Sequence, residues 1–86
     1  SFLEEATRSG TKVLLLVESG KGHHYFFEGT LGRTNPSLVT LKRHRETPWV
    51  IPRRDVVAWY SGVAREFDEL AIALSRQGWA GRGETA

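Results

Sequence analysis

The chain has 86 residues, of which 40% are hydrophobic and 26% charged, and its net charge is +2. This length and composition fit one small globular domain and exclude a disordered tail protein or a collagen-like repeat. Because the chain has no cysteine, disulfides, thiol catalysis and cysteine-based zinc sites are excluded, and a reducing, cytoplasmic location is expected.

The first predicted elements are a short helix and a strand. Ser1 and Glu4 have the spacing of a helix capping box, so we predict a helix over Phe2–Ser9 that must dock on the domain to be stable. Lys12–Ser19 is the first predicted strand. Its apolar run Val13–Val17 predicts that both faces are covered, and the run is too short to span a membrane.

Four more strands are predicted downstream. The turn Ser19–Gly22 leads into a strand over His24–Leu31, in which Gly29 suggests a bend. The remaining predicted strands cover Ser37–His44, Trp49–Ile51 and Val56–Tyr60. Five short strands joined by close turns predict a mostly β domain, a small and strongly bent antiparallel barrel. We do not expect parallel pairing, because no crossover helix lies between these strands.

From Ser61 onwards the hydrophobic period changes from two residues to about 3.6, which is typical of an amphipathic helix. We predict this C-terminal helix over Val63–Gln77, with Ser61 as its N-cap and Gly78 as a left-handed stop. The prediction is thus one domain over residues 1–78, including both flanking helices, and a frayed tail over residues 79–86.

The charge is unevenly distributed along the chain. Between Arg33 and Arg54 there are six basic residues and one acidic residue, a net charge of +5, which leaves −3 for the remainder. Clustered basic side chains attract phosphates through steering and counterion release. The segment therefore favours a nucleic-acid partner, although basic residues that only protect a solvated strand edge give the same pattern.

Patterns for catalysis or metal binding are weak. Ser19–Gly22 lacks the earlier glycine and the following Ser or Thr of a phosphate loop. His23 and His24 are adjacent on a predicted strand and point to opposite faces, so they do not suit one metal ion. No serine lies in a nucleophile elbow. We therefore predict a protein that is not an enzyme and has no catalytic residues, metal or cofactor.

Aromatic residues next to the basic ones allow two interpretations. In the first, nucleic-acid bases stack on exposed rings while Lys and Arg bind the nucleic-acid backbone. In the second, the rings form the core or a subunit interface of a small domain. We favour the second interpretation. Trp59 and Tyr60 are neighbours on one strand, so one of them is expected to point outward. The residues predicted at a subunit interface are Trp49, Val57, Trp59 and Tyr60.

The pattern from Phe2 to Tyr60 resembles the Sm-like family, which has an N-terminal helix followed by five bent strands in an SH3-like barrel. The first family motif is carried by Gly10–Val17 and by Phe27–Leu31, which matches the family's Gly-x-Leu. The second motif, an Ile-Arg-Gly-like turn leading into a β-branched strand, is approximated by Val50–Val57, without the glycine.

This resemblance implies an assembly and a ligand. Sm-like proteins form rings by pairing the fourth strand of one subunit with the fifth strand of the next. They bind RNA through the loop after the second strand and the turn between strands four and five. With the basic residues of the third strand added, the predicted RNA-binding residues are Arg33, Thr34, Asn35, Lys42, Arg43, Arg53 and Arg54.

The leading hypothesis is a non-catalytic, self-assembling Sm-like protein that binds single-stranded RNA through basic loops. The alternative is a protein-interaction or scaffold module that uses the barrel and the C-terminal helix without nucleic acid. A third hypothesis is a small-molecule site at an oligomer axis. None of them involves a cofactor or a membrane.

Overall fold

A computed structural model describes residues 12–82, and the helix predicted over Phe2–Ser9 lies outside the described residues. The described part is mostly β, with one α-helix near its C-terminal end, as predicted. The elements in chain order are β1 (Lys12–Glu18), β2 (His24–Thr34), β3 (Leu38–Arg43), β4 (Glu46–Pro52), a 3-10 turn (Arg53–Asp55), β5 (Val56–Ser61), α1 (Ala64–Arg76) and β6 (Ala80–Arg82).

The main sheet has the strand order β4-β3-β2-β1-β5, and its neighbouring strands are all antiparallel. β4 and β5 lie at its two ends and are not paired with each other, so the sheet is not closed by hydrogen bonds. Within residues 12–82, β4 and β5 are therefore the two end strands of this main sheet.

β6 corrects the prediction that no strands pair in parallel, and it corrects the predicted frayed tail as far as residue 82, because residues 83–86 lie outside the described part. Residues 80–82 pair in parallel with the first half of β2, where Tyr25 faces Ala80. The long excursion through β3, β4, β5 and α1 acts as the crossover that a parallel pair requires. Three residues then suffice to satisfy backbone groups of β2 that β3 does not reach.

β1 is buried on both faces, which confirms the prediction from its apolar run. Successive side chains of a strand point to opposite faces, so the two faces of β1 contribute to two separate cores. The interior core contains Val13, Leu15, Val17, Phe27, Leu31, Val39, Leu41 and Ile51. The outer core, in which α1 covers the sheet, contains Leu14, Leu16, Phe26, Phe67 and Leu74.

The backbone of β3 lies close to the Cα atom of Gly29 on β2. A Cβ atom at Gly29 would lie only 2.6 Å from the backbone oxygen of Lys42, so only glycine leaves enough space there. β6 pairs with β2 up to Phe27 and β3 pairs with it from Thr30, so Gly29 also lies where β2 exchanges one neighbour for the other. This close approach explains why a glycine stands inside the predicted strand.

The two ends of α1 compare differently with the predictions. The N-cap of α1 is Val63 and not Ser61 as predicted, because Ser61 is still paired with β1 as the last residue of β5. The C-terminal prediction is confirmed, since Gly78 has φ +92° and the Trp79 amide donates to the Leu74 carbonyl at 3.0 Å. This bond belongs to a Schellman motif, and it folds the Trp79 ring onto the outer core.

Candidate nucleic-acid interface

The loop after β2 and the 3-10 turn after β4 lie side by side at one end of the sheet. Nη1 of Arg53 donates to the backbone oxygen of Asn35 at 3.2 Å, although the two residues are 18 positions apart. The Arg53 amide donates to the carbonyl of Ser37 at 2.9 Å. We call residues 33–37 and 53–55 together the loop surface. It unites the two segments that the sequence predicts to bind RNA.

Asn35 determines the shape of the first of these two loops. Its Oδ1 accepts hydrogen bonds from the amides of Ser37 and Leu38, at 2.7 and 2.8 Å. Such bonds from a side chain to the following backbone define an Asx turn. The carbonyl oxygen of the side chain is therefore engaged inside the loop. Ser37 was not predicted as a site residue, although the Asn-Pro turn signal before it marks the position.

Of the three arginines of the loop surface, one connects the two loops and the other two are exposed to solvent. Arg53 is half-buried and joins the two loops. The Arg54 side chain is 89% exposed, and its Nε lies 3.9 Å from Oδ1 of Asp55. Arg33 at the end of β2 is also exposed, while Thr34 beside it is half-buried. An exposed ion pair of this length contributes about 0–1 kcal/mol. Arg54 therefore loses little stabilisation when it leaves Asp55 to contact an anionic ligand.

Arg43 is engaged by the β3–β4 hairpin instead of the loop surface. Its side chain is only 17% exposed, and Nη1 lies 3.1 Å from Oε2 of Glu46. Nε donates to the carbonyl of Thr47 at 2.8 Å, and the guanidinium carbon lies 4.2 Å from the centre of the Trp49 ring. These contacts neutralise and fix the charge, so Arg43 has a structural role in the hairpin.

Lys42 extends the basic surface from β3 towards the first loop. It is exposed, and alternation along β3 places it on the opposite face from Arg43. Its Cγ and Cε atoms lie 3.2 Å from the position that a Cβ of Gly32 would occupy. The Lys42 stem therefore lies over Gly32, the residue that precedes Arg33.

The four residues predicted at a subunit interface separate in the structure. Trp49 packs against the interior core, with its ring edge-on to Phe27 at a centroid distance of 5.3 Å. Val57, Trp59 and Tyr60 on β5 are 54%, 42% and 44% exposed. We expected only one of Trp59 and Tyr60 to be exposed. Both are, because β5 is an end strand on which neither face is fully covered.

A groove of about 420 Å³ lies between α1 and strands β2 and β3, and the sequence did not predict it. Its lining includes Lys42 from β3 and Asp68 from α1, and it also holds the ion pair of Lys12 with Glu28 at 3.7 Å. Because charges of both signs line the groove, it suits a polyanion less well than the loop surface does.

His23 and His24 contact different aromatic side chains. Nδ1 of His23 lies 3.0 Å from the Tyr25 hydroxyl, whereas the His24 ring packs edge-on against Trp79 at 4.7 Å. Within residues 12–82, no three His, Cys, Asp or Glu side chains are grouped as they would be to hold a metal ion. In the same part of the chain, no helix combines the length and apolar character that crossing a membrane requires.

Comparison of the chain with protein-family models, with curated proteins and with solved structures gives no match in any of the three. The resemblance to the Sm-like family therefore stays a prediction from the sequence motifs. The geometry of the loop surface is what supports a function.

Proposed function

We propose that this chain is a non-catalytic, self-associating module with an Sm-like barrel that binds single-stranded RNA through the loop surface. The observation that carries the proposal is the contact of Arg53 with Asn35, which joins two basic loops from distant parts of the chain. Arg33 and Arg54 then present exposed positive charges at the same end of the sheet. Lys42 is a third exposed basic residue, and its stem lies over Gly32, which precedes Arg33 in the chain.

The shape of the loop surface favours a single strand over a duplex. Recognition of duplex nucleic acid commonly uses a helix or a β-ribbon in a groove. Here α1 packs on the sheet, and its exposed face carries both acidic and basic residues, including the pair of Arg65 and Glu69. A single strand is flexible enough to bring successive phosphates to short basic loops.

Electrostatics gives the proposal a measurable signature. Each phosphate contact that a basic side chain makes with a single strand adds about 0.7 to the magnitude of the slope of log K against log salt. Arg54 exchanges a solvent-screened partner, Asp55 at 3.9 Å, for a phosphate. Because that partner contributes little in the free protein, most of the new interaction remains as binding energy.

The experiment compares Arg54→Ala with Arg65→Ala. Both arginine side chains are 89% exposed, and each has its Nε 3.9 Å from a carboxylate oxygen, but Arg65 lies on α1. Titrations with single-stranded RNA of about 12 nucleotides are run at salt concentrations from about 50 to 200 mM. We expect Arg54→Ala to weaken binding and to lower the slope by about 0.7, and Arg65→Ala to resemble the wild type. Absence of binding at low salt, or equal effects of the two variants, contradicts the proposal.

The alternative, a protein-interaction module, is favoured by one observation, the exposed apolar side chains of β5. Val57, Trp59 and Tyr60 follow one another along an end strand, and each is more than 40% exposed. This function predicts a protein partner that stays bound after nuclease treatment and is unaffected by Arg54→Ala. Loss of that partner on nuclease treatment would exclude the alternative.

A further inference from the structure

Strands β3 and β4 have an outward-facing surface that lies outside the outer core. Opposite residues of an antiparallel pair share a face, and Leu38 lies opposite Pro52 while Thr40 lies opposite Val50. On each strand, the residue between these two is buried in the interior core, so the four side chains point to the other side of the sheet. We call these four residues the β3–β4 face. Among the described residues, the outer core that α1 covers includes none from β3 or β4.

The β3–β4 face is mostly apolar and exposed to solvent. Val50 is 58% exposed and Leu38 is 39% exposed, and Pro52 beside them is exposed as well. Apolar side chains that are exposed singly are normal on a protein surface, whereas contiguous ones mark binding surfaces. This patch is small, so its surroundings must identify the ligand.

The β3–β4 face continues directly into the loop surface. Beyond the pair of Leu38 and Pro52, the next contact between the two strands is the hydrogen bond of the Arg53 amide with the Ser37 carbonyl, at 2.9 Å. Both residues of that bond belong to the loop surface. A molecule that binds the loop surface therefore reaches the apolar side chains without leaving the protein.

Positive charge lies at both ends of the β3–β4 face. Arg54, which is 89% exposed, lies at the loop end. At the other end Lys42 follows Thr40 on the same side of β3, opposite Thr30 of β2. Residues 33–42 and 50–54 contain no Asp or Glu. This combination suits a ligand that has an anionic backbone and flat apolar faces, and single-stranded nucleic acid has both.

We propose that unpaired bases of the bound RNA pack against Leu38, Val50 and Pro52, while its phosphates contact the loop surface and Lys42. This inference rests on the proposed function and specifies what is recognised, which is the exposed base as well as the phosphate. Bases in a duplex are stacked and paired, so a duplex does not offer this contact. Every base has a flat face, so binding is expected to tolerate changes of sequence.

The test measures affinity and its salt dependence for the wild type, Val50→Ala and Val57→Ala. Val57 is the matched control, because it is 54% exposed on β5 at the other end of the sheet. The probes are single-stranded RNA of about 12 nucleotides and inorganic polyphosphate, which has no bases. We expect Val50→Ala to bind RNA about three- to tenfold more weakly. Its salt slope should not change, because the slope counts phosphate contacts.

Polyphosphate should bind equally to all three proteins. Equal RNA affinities of Val50→Ala and Val57→Ala would overturn the inference, and so would an equal loss of RNA and polyphosphate binding in Val50→Ala. If circular dichroism shows that Val50→Ala does not fold, Val50→Thr, which keeps the β-branched shape, replaces it. RNA binding that depends on Arg54 but not on Val50 excludes the base contact alone, whereas absence of RNA binding at low salt excludes the proposed function as well.

Discussion

Gly29→Ala tests whether the close approach of β3 to β2 is a requirement of the fold. The added Cβ would lie 2.6 Å from the backbone oxygen of Lys42, whereas ordinary contacts begin at 3.4 Å. The neighbouring atom is backbone, so no side-chain rotation relieves the overlap. β2 and β3 must separate instead, and the β2–β3 loop that carries Asn35 moves with them.

The expected cost follows from this overlap. Overpacking by one methyl group in a rigid surrounding costs about 1–3 kcal/mol, and a backbone contact belongs near the upper end. The lower entropy of the unfolded alanine chain returns about 0.4–1 kcal/mol. We therefore expect a net loss of about 2 kcal/mol in the free energy of unfolding, or about 8–16 °C in Tm for a domain of this size.

The assay is thermal and urea unfolding followed by circular dichroism, with Gly20→Ala as the matched control. Gly20 lies in the β1–β2 turn, has no positive φ, and has no atom within 4 Å of its Cβ position. Gly20→Ala should match the wild type within about 0.5 kcal/mol or be slightly more stable. A Gly29→Ala protein as stable as the Gly20→Ala protein would refute the reasoning, because the backbone would then have absorbed the overlap without cost.

Three further changes address the outer core, the helix end and the hairpin. Phe67→Ala removes a ring that is 1% exposed between α1 and the sheet, so urea unfolding should show a loss of about 3–5 kcal/mol; a loss below 1 kcal/mol would mean that α1 contributes little. Gly78→Ala forces alanine to φ +92°, and thermal unfolding should show a loss of about 1 kcal/mol or more; an unchanged Tm contradicts the Schellman motif. Arg43→Met keeps the stem but loses the contacts with Glu46 and Trp49, which should lower stability by about 1–2 kcal/mol. Its RNA affinity should fall less than that of Arg54→Ala, and a larger fall would place Arg43 in the binding surface.

The fold was predictable from the sequence where the determinants are local. The apolar run of β1 predicted two covered faces, and the glycine at position 78 predicted the end of α1. Both signals act within a few residues, through strand alternation and left-handed backbone geometry. β6 was not predictable in this way, because its three residues form a strand only after α1 returns the chain to β2.

The candidate site was predictable in part. The basic segment was visible as a net charge, and Asn35 as a turn residue. The contact between Arg53 and Asn35 was not visible, because it depends on the register of β3 with β4. The same register closes the hairpin that engages Arg43. Two arginines of similar sequence context, Arg43 and Arg54, therefore have different environments.

The sequence by itself determined the strand and helix periods, most of the turns, the excess of positive charge in the middle of the chain, and the lack of proline and charge in β5. These properties belong to short stretches of chain, so no distant partner is needed to specify them. Only the tertiary structure decided which charges remain exposed and which strands lie at the two ends of the main sheet. The physical reason is that exposure depends on the residues that pairing brings alongside, as Trp49 is brought beside Arg43 and Asn35 beside Arg53.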